Sequence, residues 1–322
     1  MEYTYFPKTN LEVSRLCLGT MMFGGQTEEK DAVRIMDEAL DLGVNFFDTA
    51  NVYNGGVTEE VVGRWLKNHR DQVILASKVG IDMGEGLYDT GLSRGTILKQ
   101  VDASLSRLQT DYIDIYYMHK PDYHTDFFET MQTLDTLVKQ GKIRYIGVSN
   151  HAAWQMADIL HVCEKYGFNA PVVTQNVLNP VTRGIEAELI PFLHAHPMAL
   201  CIYNPLAAGL LTGKYTNGNM PEHTRFSMNP RYKARYYSED NLRAADELEK
   251  IAKECGLSLL QLALCWSNRY ADVTSVICGV SRPEQLRGNV EAMQLPALPA
   301  DILEKCDAIY KRLPVDRFAY NR

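Results

Sequence analysis

Apolar residues recur along this chain in two alternating modes. Short, nearly continuous apolar runs have the length and β-branched content of buried strands, and the segments between them repeat at helical spacing. Arg15-Leu16-Cys17-Leu18-Gly19 is the first core run. It is followed over residues 27–42 by Ala32, Val33, Ile35, Met36, Ala39 and Leu40, one face of a helix. The next run, 45–47, stops on Asp48 and precedes a helix over 58–66, which Thr58 opens with Glu59 and Glu60 in its first turn. The alternation continues with strands at 73–77, 113–118, 143–148, 172–174, 200–203 and 273–278. The matching helices are predicted at 93–108, 127–140, 152–166, 185–195, 240–255 with 258–267, and 283–293.

Eight strand and helix pairs predict parallel strands joined by right-handed crossovers. Closure into an α/β fold, a (β/α)8 TIM barrel, is the economical arrangement, with one domain spanning residues 1–322. The first thirteen residues read as a short hairpin ahead of it, and a helix over 301–312 follows the eighth unit. A doubly wound open sheet is the rival. It is weakened because no G-x-G-x-x-G follows the first strand, where a dinucleotide-binding sheet would want one. Two loops at strand C-terminal ends are long, 80–92 and 204–239, and such loops shape a barrel's mouth.

Composition narrows the class. A hydrophobic fraction of 46% with 23% charged residues supports a sizeable core, and the net charge of -7 argues against nucleic acid or an anionic membrane as partner. Seven cysteines without a C-x-x-C pair, mostly inside apolar runs, read as reduced core thiols of a cytoplasmic protein. The opening MEYTYFPKTN carries no secretory apolar segment, and no run is long enough to span a bilayer.

Chemistry enters at the strand ends. Three consecutive strands stop on an ionisable residue, Asp48, Lys78 and His119, and Tyr53 follows the first of these from its loop. In a barrel, strand C-terminal ends converge on one face, so these four should be neighbours. A free phenol has a pKa of about 10 and exchanges protons poorly at neutral pH unless its phenolate is stabilised. Lys78 can do that, Asp48 can hold Lys78 charged, and His119 can hydrogen-bond a substrate oxygen. Such a set suits proton exchange with an oxygen whose carbon gains or loses a hydride.

Five strings lie in order on these elements: FFDTANVY with Asp48 and Tyr53, SKVG with Lys78, MHKPD with His119, GVSN ending at Asn150, and YNPLAAGLLTGKY from Tyr203. Together they resemble the aldo-keto reductase superfamily over nearly the whole chain. The resemblance implies Tyr53 as general acid in carbonyl reduction, Lys78 and Asp48 tuning it, and His119 orienting the carbonyl. It also implies a nicotinamide cofactor across the barrel mouth. Ser149, Asn150 and Gln175 would hold the carboxamide, and Tyr203 would stack on the ring. Leu206, Gly209, Leu211 and Lys214 would wrap the pyrophosphate, while Gly279, Ser281, Gln285 and Asn289 would grip the adenosine end. Members carry a serine where this chain has Asn204, and often an aromatic where it has Leu178. An arginine for the 2′-phosphate is replaced by Ser281 with Arg282 beside it; both can address a phosphate, so NADP is the expected cofactor and NAD stays open.

Taken singly, each residue has a plainer reading: Asp48 a turn residue, Tyr53 a rim aromatic, Lys78 a surface lysine, His119 a core histidine, Ser149-Asn150 a helix cap. Those readings fail jointly, because they require unrelated accidents on adjacent strand ends. His194-Ala195-His196 is assigned to a solvated helix end rather than a metal pair, since residues two apart on a helix diverge. Arg225, Arg231, Lys233 and Arg235 form a basic loop cluster that either meets an anion or is simply solvated. Met21, Met22, Phe23, Met83, Tyr88, Tyr123, Tyr232, Tyr236 and Tyr237 are candidate pocket walls. The expected function is reduction of an aldehyde or ketone to an alcohol, reversibly, with a small carbonyl or alcohol as partner. The alternative is a redox-sensing module like the potassium-channel beta subunits, which hold the cofactor and turn over slowly. Metal binding would instead favour a barrel hydrolase.

Overall fold

The computed structural model describes residues 1–216, 224–268, 272–314 and 320. Eight strands pair in parallel: β3 (Leu16–Gly19), β4 (Phe46–Asp48), β5 (Ile74–Val79), β6 (Ile113–Met118), β7 (Ile143–Ser149), β8 (Val173–Val177), β9 (Ala199–Tyr203) and β10 (Val273–Gly279). β10 pairs with both β9 and β3, which closes the barrel. Ahead of it, β1 (Tyr3–Tyr5) and β2 (Glu12–Ser14) form an antiparallel pair. That hairpin caps the N-terminal end of the strands: Phe6 meets Phe46 edge-on at 5.9 Å, and the Ser14 N–H donates to Asn45 Oδ1 at 2.8 Å.

The crossovers carry α1 (Glu29–Asp41), α2 (Val57–Leu66), α3 (Arg94–Leu108), α4 (Phe127–Lys139), α5 (Ala153–Tyr166) and α6 (Leu189–Ala195). After β9 come α7 (Arg225–Met228), α8 (Pro230–Tyr236), α9 (Glu239–Glu254) and α10 (Leu259–Ser267), then α11 (Pro283–Met293) and α12 (Ala300–Tyr310) after β10. The long segment after β9 is thus largely helical, with residues 217–223 outside the described set.

Two of the expected elements differ in detail. The helix expected over 185–195 is split: a short 3-10 turn at Gly184–Glu186 precedes α6, which starts at Leu189. Pro191 sits in the first turn of α6, where a missing N–H is harmless, so the proline permits the late start. Thr58 does not cap α2; Gly56 occupies that position, and the Thr58 hydroxyl donates to Phe23 O at 2.8 Å.

Strand periodicity explains what the barrel points inward. Phe6, Cys17, Phe46, Ala76, Ile115, Tyr117, Val173, Ala199 and Cys201 pack together inside, whereas Leu16, Leu18, Phe47, Leu75 and Tyr116 belong to the layer between strands and helices. Side chains two positions apart share a face. Asp48, Lys78, His119, Gln175 and Tyr203 therefore follow Phe46, Ala76, Tyr117, Val173 and Cys201 on the inner side, one level nearer the C-terminal end. Gly147 makes room there, because a Cβ would lie 2.4 Å from the Tyr117 ring.

Candidate active site

Lys78 lies within β5 rather than just beyond it, and its side chain is fully buried. Its ammonium donates to Asp48 Oδ2 at 2.5 Å, Thr49 O at 2.7 Å and the Tyr53 phenol oxygen at 3.1 Å, which uses all three protons. The other carboxylate oxygen, Asp48 Oδ1, accepts from Gln175 Nε2 at 2.8 Å. Thr20, just past β3, donates through both its N–H and its hydroxyl to Asp48 O, each at 3.0 Å.

Tyr53 is delivered by a tight turn. Asn54, Gly55 and Gly56 all have positive φ (48°, 66° and 101°), a path that favours glycine and asparagine. The Asn54 side-chain amide ties this turn to the loop after β3, through Phe23 O at 3.0 Å and Met21 O at 3.1 Å. On the other side the Arg107 stem passes under Gly56, where a Cβ would be 3.0 Å from Arg107 Cδ. Arg107 then pairs with fully buried Glu59 at 2.8 Å, and Glu59 accepts from the Ser77 hydroxyl at 2.5 Å. The phenol's turn is thereby braced against the strand that carries Lys78.

His119 stands edge-on to Tyr53, ring centroids 6.0 Å apart, and its backbone N–H donates to Val79 O at 2.8 Å. Its Nδ1 is buried and has no hydrogen-bond partner among the described residues. Burial, joined by repulsion from Lys78 and Lys120, holds the imidazole well below its ordinary pKa, so it is neutral at neutral pH. Burial also pushes Tyr53 up to about 12; Lys78 opposes this and Asp48 adds to it. Lys78 thus favours the phenolate as expected, but desolvation outweighs it and the phenol stays protonated. For Lys78 itself burial pulls the pKa down, but Asp48 and Tyr53 more than offset this, and the ammonium stays charged.

The residues expected around a carboxamide join the same network. Ser149 Oγ donates to Gln175 O at 2.9 Å, Asn150 Nδ2 donates to His119 O at 2.9 Å, and the Tyr203 hydroxyl donates to Asn150 Oδ1 at 2.7 Å. Ser149 and Asn150 do not cap α5, whose N-cap is Ala152. Asn204 takes φ 55° and its carbonyl accepts from Asn179 Nδ2, whereas its own buried Nδ2 has no partner among the described residues. Leu178 is buried in the core.

The expected phosphate loop is only partly arranged for that task. Leu206 O accepts the N–H groups of Gly209 (2.8 Å) and Leu211 (3.2 Å), so these two turn inward, and the Leu211 side chain is in the core. Gly209 (φ 96°) does let Lys214 approach: a Cβ there would lie 3.0 Å from Lys214 Nζ. At the adenosine end, Gly279 ends β10, Arg282 is the exposed N-cap of α11, and Ser281 donates from N–H and hydroxyl to Gln285 Oε1. Asn289 is 2% exposed, and its Oδ1 has no hydrogen-bond partner among the described residues. A buried acceptor left open on Asn289 suits the amino edge of an adenine, so the residues present fit a dinucleotide.

Other sequence candidates fall elsewhere. Phe23 and Tyr236 are core residues, Tyr237 packs on Tyr215 and Phe226, and the Tyr88 ring lies against Gly95 of α3. Tyr232 does reach the site: it contributes to the rise in the Tyr53 pKa, and its hydroxyl lies 3.9 Å from Met21 Sδ. Met21, Met22 and Met83 are half-buried, and Tyr123 is largely exposed. In the basic cluster, Arg231 and Lys233 are exposed and Arg235 lies over the Tyr232 ring; the Arg225 side chain is outside the described set. His194 bonds Asp272 and His196 stacks on Phe192. Among the described residues no group of three or more His, Cys, Asp or Glu could hold a metal, and no helix is long and apolar enough to cross a membrane. None of the seven cysteines is in a disulfide, and six of them are buried.

A closed barrel with this polar ring at its C-terminal mouth defines a class of protein that sequence comparison then specifies. The chain belongs to the Aldo/keto reductase family, whose model matches residues 15–311. It is 38% identical over 321 residues to a Bacillus subtilis protein named as an uncharacterized oxidoreductase, YrpG, covering 96% of each chain. It is 34% identical to a rice protein named as a probable voltage-gated potassium channel subunit beta (98% of each chain). Protein tas of Escherichia coli is 35% identical over 97% of this chain and 98% of its own.

Proposed function

We propose that this protein is a nicotinamide-dependent oxidoreductase that reduces an aldehyde or ketone to an alcohol, with Tyr53 as proton donor. The observation that carries this reading is the contact of the Tyr53 phenol with the Lys78 ammonium at 3.1 Å, backed by Asp48 at 2.5 Å. A carbonyl oxygen placed between the Tyr53 hydroxyl and the neutral His119 ring would meet hydrogen-bond donors where negative charge develops. As the alkoxide forms, Tyr53 gives up its proton, and the ammonium 3.1 Å away stabilises the phenolate left behind. Proton transfer is thus coupled to the one step that creates charge on the substrate.

A bound nicotinamide supplies the hydride. Ser149, Asn150 and Gln175 would hold its carboxamide, and Tyr203 would cover one face of the ring. Lys214 beside Gly209 would meet the pyrophosphate, with Leu206 and Leu211 shaping the loop. Gly279, Gln285 and Asn289 would take the adenosine end. Ser281 and Arg282 favour NADP, because a hydroxyl and an exposed guanidinium at a helix N-terminus suit a phosphate.

A second reading rests on the rice relative named as a potassium channel beta subunit: the chain would hold its cofactor as a redox sensor with slow turnover. One experiment separates them. Purified protein given NADPH and a panel of small aldehydes and ketones should oxidise many equivalents of cofactor. Consumption of a single equivalent, followed by a stable loaded complex, would favour the sensor.

A further inference from the structure

We propose that Gln175 is a positioning residue for the proton donor Tyr53, acting through the hydrogen bond from its Nε2 to Asp48 Oδ1. The inference rests on the reading of Tyr53 as the acid and assigns Gln175 a task beyond holding a carboxamide. Gln175 and Asp48 are 127 residues apart, on β8 and β4, yet their side chains meet at 2.8 Å and are 4% and 3% exposed. The two oxygens of the carboxylate are divided: Oδ2 takes the Lys78 ammonium and Oδ1 takes Gln175. One N–H of the amide is committed to Asp48. The second N–H and Oε1 keep the capacity to bind a carboxamide. A single side chain therefore touches both the expected nicotinamide position and the acid network.

Buried hydrogen bonds to a carboxylate spread its charge and fix its orientation. Removing the Gln175 donor leaves the Asp48 charge less dispersed, which disfavours a second negative charge on Tyr53. It also frees Asp48 to draw Lys78 away from the phenol. Both effects push Tyr53 in one direction, toward the protonated form. The groups facing this pair come from every side of the barrel: Cys17 on β3, Lys78 on β5, Tyr117 on β6, Cys201 on β9, Tyr232 on α8, and His119 with Lys120 after β6. Cys17, Tyr117 and Cys201 are pushed up by burial and stay neutral, and His119 is held down and neutral. Asp48 and Lys78 are thus the charges nearest the phenol, and a change at Asp48 is felt there.

The test compares wild type, Gln175→Met and Gln175→Asn, each saturated with oxidised nicotinamide dinucleotide and lacking alcohol, so that nothing turns over. The ultraviolet tyrosinate signal is titrated with pH and the same titration of Tyr53→Phe is subtracted, leaving Tyr53 alone. Both Gln175 variants should move the midpoint upward, so that phenolate below the midpoint falls about three- to tenfold. Gln175→Asn keeps an amide one methylene short of Asp48 and gives the reading if the methionine variant does not fold. In turnover at saturating cofactor, alcohol oxidation, which needs the phenolate, should fall by the same factor. Carbonyl reduction near neutral pH, where Tyr53 is already protonated, should fall by a smaller factor than alcohol oxidation, a split that general structural damage would not produce. On an Asp48→Asn background the shift should vanish. An unmoved midpoint in both variants overturns the inference, as does a shift that persists in full without the Asp48 charge. If Tyr53→Phe itself reduces carbonyls at the wild-type rate, the underlying reading fails and takes the inference with it. An inactive Tyr53→Phe with an unmoved midpoint rejects the role of Gln175 alone.

Discussion

The Lys78 ammonium and the Asp48 carboxylate meet at 2.5 Å inside the barrel, where neither is more than 4% exposed. Breaking such a pair from one side leaves a buried charge uncompensated, which typically costs about 3–5 kcal/mol. Lys78→Met should lower the unfolding free energy by about that amount in urea titrations, and should lower carbonyl reduction about 10²- to 10⁴-fold. Adding Asp48→Asn to it should recover more than half of the stability and none of the activity. Full stability in the single variant would show that Asp48 finds its compensation elsewhere.

Arg282 is exposed at the N-cap of α11, next to Ser281. If these two residues address a 2′-phosphate, Arg282→Ala should weaken NADPH binding about tenfold, as expected for losing one charge-assisted contact, and leave NADH binding unchanged. Cofactor fluorescence titrations measure both. Equal weakening of the two dinucleotides would place the phosphate contact elsewhere.

His151 is fully buried, its Nδ1 on Ser149 O at 2.9 Å and its Nε2 without a hydrogen-bond partner among the described residues. Burial lowers its pKa from 6.5 to about 4, with only partial relief from the Ser149 carbonyl. The folded pKa lies below the unfolded one, so the unfolded chain takes up the proton first. The contribution to stability is complete above pH 6.5 and is lost as pH falls toward 4, amounting to about 3 kcal/mol over that window. His151→Gln should flatten that part of the stability profile in urea unfolding at several pH values. An unchanged slope would assign the acid sensitivity to other groups, His119 first among them.

Much of the fold was legible in the chain because strand runs and helix faces have different periods, and the two alternated eight times. The acid, amine and imidazole were legible because a buried strand has no packing reason to end on a charge. Other features left no such trace. Gln175 meets Asp48 across 127 residues, a contact that no local pattern encodes. Thr20 supports the Asp48 carbonyl from the adjacent strand end, though a threonine after Gly19 reads as ordinary loop chemistry. The aromatic residues misled for a related reason: Tyr88, Tyr232 and Tyr236 have the same composition signal, and only packing sends the first to α3, the second to the mouth and the third into the core. The split before α6 follows from Pro191, whose preference for a first helical turn is visible only once the start at Leu189 is known. The raised Tyr53 pKa also escaped, because a sequence shows Lys78 as a partner but not the depth of burial that outweighs it.

The central claim is that the Tyr53 phenol gives its proton to a substrate oxygen. Tyr53→Phe removes one hydroxyl, keeps the ring against His119, and leaves the Lys78–Asp48 pair in place. Steady-state NADPH oxidation with the best carbonyl of a substrate panel should fall about 10²- to 10⁴-fold, while thermal stability and cofactor affinity stay near wild type. A folded, cofactor-binding Tyr53→Phe protein that still reduces the carbonyl at close to the wild-type rate would contradict the account.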